Sequence, residues 1–78
     1  MSLHDALVYV VTEHLKKLLK NEILVQSVLI LLDTDDKLFW YLGNQRKANR
    51  IISSYVGSDT ICKGELLKLK TELEKNWE

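Results

Sequence analysis

Four groups of residues in this chain have side chains that could do chemistry. The first is Asp33, Asp35 and Asp36, close-set carboxylates of the kind that hold a hard cation. A calcium loop would need a third ligand where Lys37 stands and a glycine after it, and neither is present. The plainer reading is a polar connection in which Asp35 or Asp36 caps the helix that follows. The second group is Cys62 beside Lys63, a thiol that a helix N-terminus would activate. Thiol catalysis also needs a partnered base, and His4 and His14 are far away in sequence. Cys62 fits equally well as a small buried hydrophobe at the start of an apolar seam.

The third group is the histidines themselves. Ten positions apart, they point roughly 80° away from each other on a helix, so they do not form a two-histidine zinc pair. His14 lies beside an apolar stripe and reads as a boundary residue. The fourth group is Arg46, Lys47 and Arg50, in a stretch with no acidic residue between Asp36 and Asp59. Arg46 and Arg50, one helical turn apart, could grip phosphates, with Asn44, Gln45 and Asn49 close by. The ordinary alternative is a solvated helix face. A helix-turn-helix with Gly57 in the turn would place Ile52, Val56 and Leu66 in its core. Ser58 and Lys63 then stand where apolar residues usually pack, so this match is poor. No nucleophile–base pair and no metal set can be assembled from these groups. The expectation is a non-enzymatic protein without a cofactor.

The elements that position these residues are read from apolar spacing. Leu3, Leu7, Val10, Val11, Leu15, Leu18 and Leu19 recur at threes and fours, the stripe of an amphipathic helix. Ser2 followed by Asp5 resembles a capping box, and Lys16, Lys17 and Lys20 suit the far end of the helix dipole. Asn21 can end this helix or cap the next. The second element, Glu22 to Leu32, is apolar on every side except at Gln26 and Ser27. Its periodicity fits helix or strand, and in either form it demands burial all round.

From Asp36 to Val56 a helical wheel gathers Leu38, Tyr41, Leu42, Ala48, Ile52, Tyr55 and Val56 on one arc, with Trp40 and Ile51 at its edge. Arg46, Lys47, Arg50, Ser53 and Ser54 fall opposite. Gly43 inside such a helix costs about 1 kcal/mol relative to Ala. It can also split the element in two, because Tyr41-Leu42-Gly43-Asn44 echoes Tyr55-Val56-Gly57-Ser58 and both read as helix ends. The last element runs from about Thr60 to Trp77, with Ser58, Asp59 or Thr60 as cap. Its seam is Cys62, Leu66, Leu69 and Leu73, and Lys68–Glu72 and Lys70–Glu74 are candidate ion pairs along it.

Composition bounds the class. The chain has 78 residues, 46% of them apolar and 28% charged, enough for one small globular domain. It has no proline and three glycines, too few turn signals for a many-stranded sheet. Eleven basic and eleven acidic residues give no net charge, which argues against a strong field for nucleic acid or an anionic membrane. The single cysteine fits a reducing, cytoplasmic setting. No apolar run is long enough to span a bilayer. Met1-Ser2-Leu3 and Glu78 have the pattern of residues left by cloning, which would make this an excised domain.

The expected architecture is all-α, a bundle of three or four helices associating as a homodimer. The alternative is α+β, with a hairpin at 24–42 packed on helices. The expected function is protein–protein interaction or assembly through apolar helix surface, with itself or another protein as partner. The apolar surface of the second element, Phe39, which falls on the polar side of its wheel, Trp40 and the seam Leu66, Leu69 and Leu73 would form the interface. The rival expectation is a nucleic-acid-binding regulator using Arg46, Lys47 and Arg50.

Overall fold

The computed structural model describes residues 2–56 and 63–77. Five helices follow one another: α1 (Leu3–Leu18), α2 (Glu22–Leu31), α3 (Asp35–Gly43), α4 (Gln45–Tyr55) and α5 (Lys63–Glu74). The all-helical class holds among the described residues, where no strand forms, so the hairpin alternative at 24–42 falls away. The count of three or four helices is corrected to five, because the long third element breaks at Gly43-Asn44. Gly57, the cap candidates at 58–60 and Cys62 lie outside the described residues.

Short polar residues set most boundaries. Ser2 Oγ accepts from the Asp5 backbone N–H at 3.1 Å and caps α1. Asn21 Oδ1 accepts from the Ile23 N–H at 2.8 Å, so Asn21 opens α2. The cap of α3 is Thr34, whose hydroxyl accepts from the Lys37 N–H at 3.3 Å. This corrects the expectation for Asp35 or Asp36. Both stand in the first turn, where carboxylates favour the positive end of the helix dipole without capping it. At the break, Asn44 Nδ2 donates back to the Trp40 carbonyl at 2.9 Å and satisfies the end of α3. Asn44 therefore makes no side-chain cap for α4.

The periodicity of α2 resolves as helix. Leu24, Val25, Val28 and Leu31 are buried, a spacing that fits one side of a helix and neither face of a strand. Helix α1 packs against α2 and α3 through Leu7, Val11 and Leu15, and α4 packs against α5. The arc read from Leu38 to Val56 is the core side of α3 and α4. Leu38, Tyr41, Ala48, Ile52 and Val56 are all buried, in one cluster with Leu69 and Leu73 of α5. Each buried aliphatic side chain of this kind contributes about 1.5–3 kcal/mol.

Beyond α5 the chain turns Trp77 back onto α3. Its ring meets that of Trp40 edge-on, with centroids 6.1 Å apart and planes at 78°. Lys37 Nζ sits 4.6 Å from the centre of the Trp77 ring, a cation–π contact. The Lys–Glu pairs on α5 also differ from expectation. Glu65–Lys68 at 3.8 Å and Glu72–Lys75 at 3.5 Å form at i, i+3, with the carboxylate on the N-terminal side. In that order each carboxylate lies on the N-terminal side of its ammonium, the more favourable orientation for a helical pair, unlike the Lys68–Glu72 and Lys70–Glu74 pairings.

Candidate functional site

The carboxylates after α2 are dispersed by pairing. Asp33 accepts from Lys37 Nζ at 3.0 Å, and the ammonium bonded to it holds its carboxyl below the ordinary range. Asp35 reaches the other way, to His4 Nδ1 at 2.6 Å, tying the start of α3 to the start of α1. No group of three His, Cys, Asp or Glu side chains is gathered among the described residues. His14 is half-buried at the edge of the α1 stripe.

The residues expected at an interface separate into two sets. Leu69 and Leu73 have no exposed surface and belong to the chain's own core, while Leu66 is partly buried against it. Trp40 is half-buried and is covered along one side by Trp77. Phe39 remains 51% exposed on α3. A helix bundle this small needs its α5 seam to close its own core, which leaves Phe39 as the most exposed of the five.

Among the described residues, the large apolar side chains with the highest fractional exposure lie elsewhere, on α2. Ile23 and Ile30 are 74% and 72% exposed. They are seven positions apart, two turns along one face, with Gln26 and Ser27 between them. Ser27 Oγ donates to the Ile23 carbonyl at 2.9 Å, so the polar group on this face is turned onto its own helix. Ile30 stands at the rim of a groove of about 290 Å³ between α1 and α2, lined by Val8, Leu29 and Leu32, with His4, Gln26 and Asp33 at its edges. An exposed aliphatic knob thus adjoins an apolar groove. The all-round apolar composition of α2 pointed to this surface. The groove depends on how α1 lies across α2, which spacing alone does not reveal.

A second depression, of about 380 Å³, lies between α4 and α5 and is lined by Lys47, Arg50, Ile51, Ser54, Tyr55, Glu72 and Asn76. Of the three basic residues singled out in the sequence, Lys47 and Arg50 line it and Arg46 does not. Among the described residues none of the three forms an ion pair. Arg46 and Lys47 occupy the first turn of α4, which carries no acidic residue. Cations there oppose the helix dipole at a cost of about 0.3–1 kcal/mol each.

No helix among the described residues is long and apolar enough to cross a membrane. Comparisons with protein-family models, with curated proteins and with solved structures find no match to this chain.

Proposed function

We propose that this chain is a non-enzymatic assembly module that associates with a second copy of itself through the outer face of α2. The observation that carries this reading is the exposure of Ile23 and Ile30 on a face whose intervening residues, Gln26 and Ser27, are uncharged. Where the two faces meet about a two-fold axis, the residues between the isoleucines bring no like charges together, and Asp33 at the groove edge is paired with Lys37 of its own chain. The Ile30 knob of each copy has a groove of Val8, Leu29 and Leu32 to enter in the other. The absence of net charge removes long-range self-repulsion as an obstacle.

The rival reading, binding of nucleic acid through Arg46, Lys47 and Arg50, has less behind it. A polymer is usually tracked by a continuous row of cations. Here Arg46 lies off the groove that the other two share, and Glu72 stands across from them.

Sedimentation equilibrium over a range of protein and salt concentrations tests the assembly reading. The expected result is a dimer that persists as salt is raised and dissociates in the double variant Ile23→Gln, Ile30→Gln, with helicity unchanged. A wild-type chain that stays monomeric at millimolar concentration, or a variant that associates as well as wild type, would overturn it. Phe39→Asp is the companion variant for the exposed aromatic on α3.

A further inference from the structure

We infer that the groove between α4 and α5 is a binding site for a small phosphate monoester carrying a hydroxylated body, of about the size of a mononucleotide. This goes beyond the assembly reading and is independent of it, since the assembly face lies on α2.

The inference begins with how α4 presents its side chains. Lys47, Arg50, Ile51, Ser54 and Tyr55 are spaced at threes and fours, so one face of the helix forms a single wall of the groove. Opposite them, Glu72 and Asn76 lie one turn apart on and just beyond α5. The volume, about 380 Å³, falls in the range of small-ligand sites, ~300–1,000 Å³.

The charge pattern selects the ligand class. Lys47 and Arg50 carry two positive charges one turn apart, neither matched by a carboxylate among the described residues. Glu72 also lines the groove, and Lys75, 3.5 Å from its carboxylate, offsets part of its charge. Two adjacent cations match the charge of a phosphate monoester dianion better than that of a single carboxylate. Arg50 brings a planar fork of donors for two phosphate oxygens, and Lys47 adds a point charge. The N-terminus of α4 lies within the same turn as Lys47 and adds to the positive potential.

The other lining groups suit the rest of such a molecule. Ile51 and Tyr55 are partly buried and offer an apolar surface for a flat body. Asn76 Nδ2 donates one hydrogen to the Glu72 carbonyl at 2.8 Å and keeps a second. Ser54 Oγ donates to the Arg50 carbonyl at 2.9 Å and retains its acceptor capacity. The Glu72 carboxylate repels phosphate and accepts from hydroxyls, so it holds the phosphate on the α4 wall and the hydroxylated body on its own side.

The test is titration of the isotopically labelled full chain with adenosine monophosphate at low salt, followed by backbone amide shifts. Adenosine and inorganic phosphate are titrated in parallel. The inference expects saturable shifts confined to 47–55 and 72–76. It also expects adenosine and inorganic phosphate each to bind at least about tenfold more weakly, a factor of ten being 1.4 kcal/mol. Arg50→Gln should weaken the monophosphate about tenfold or more with far-ultraviolet circular dichroism unchanged. Lys47→Gln should act in the same direction by a smaller factor. No saturable shift up to about 10 mM, a range that still detects a millimolar complex, would overturn the site. So would shifts centred on Lys16, Lys17 and Lys20, or an Arg50→Gln chain that binds as wild type. Inorganic phosphate binding as tightly as the nucleotide would overturn the assignment of a body-binding wall.

Discussion

Tyr41 gives a prediction that can be worked through from geometry to titration. Its ring is fully buried at the centre of the cluster, and its hydroxyl donates to Asn49 Oδ1 at 2.7 Å across the α3–α4 break. Burial pushes the phenol up to about 12, against about 10 in an unfolded chain. The folded state therefore keeps its proton through the window from about pH 10 to 12 while the unfolded state loses it. Stability associated with this group is complete below about pH 10 and is lost as pH rises toward the folded value. Two units correspond to ~2.7 kcal/mol at most. Asn49 is only half-buried, so nearby water takes part of the effect, and about 1–2 kcal/mol is the working figure.

The substitution Tyr41→Phe removes the hydrogen bond and leaves Asn49 Oδ1 without this donor, at a cost of about 1 kcal/mol near neutral pH. It also removes the titration. Urea unfolding of wild type and Tyr41→Phe at matched pH isolates Tyr41, because the two chains differ only in that hydroxyl. Wild type should lead by about 1 kcal/mol at pH 8 and lose or reverse that lead by about pH 12. A gap that stays constant across the whole window would refute the reasoning.

Three further substitutions probe the fold. Gly43→Ala should stabilise the chain by about 0.5–1 kcal/mol in urea unfolding, because its φ is negative and a Cβ there meets nothing within 4 Å; a loss of stability would mean that the α3–α4 break needs a glycine. Leu15→Ala, at a position with no exposed surface, should cost about 2–5 kcal/mol. Ile30→Ala should cost well under that in the monomer, and equal losses at the two positions would contradict the placement of Ile30 on the outside.

Much of the helical architecture was legible in spacing. The stripes of α1 and of the Leu38–Val56 arc name nearly all the residues those helices bury, because a helix repeats its core side every three or four positions. Ser2 was legible as a cap because short oxygen-bearing side chains have few other tasks at such places, whereas Asn21 read equally as the end of α1 or the cap of α2. The ambiguity of Glu22–Leu32 arose because an element apolar on every side has no moment for periodicity to detect. What could not be read was contact across long separations. The His4–Asp35 bond spans 31 positions. Trp77 meets Trp40 of α3 across a separation of 37 positions. The groove of Lys47 and Arg50 needed α5 to supply its second wall. For the same reason Leu69 and Leu73 looked available to a partner. A seam marks a face that will be covered, and nothing in its spacing says whether the cover is the same chain.

That distinction bears on how strong any association through α2 can be. Full burial of an isoleucine contributes about 1.5–3 kcal/mol, and Ile23 and Ile30 each still have about three-quarters of that to gain. Four such side chains across a symmetric pair supply about 4–9 kcal/mol. Bringing two proteins together costs about 4–15 kcal/mol in lost freedom. The isoleucines alone therefore leave association near break-even, and filling the Val8–Leu29–Leu32 groove must supply the surplus. A dimer formed in the proposed way would be a weak one, requiring high local concentration and held by a small contact. This also accounts for a chain that leaves two isoleucines in water. Its stability rests on the buried cluster, from Leu7 through Tyr41 to Leu73, which is complete without them.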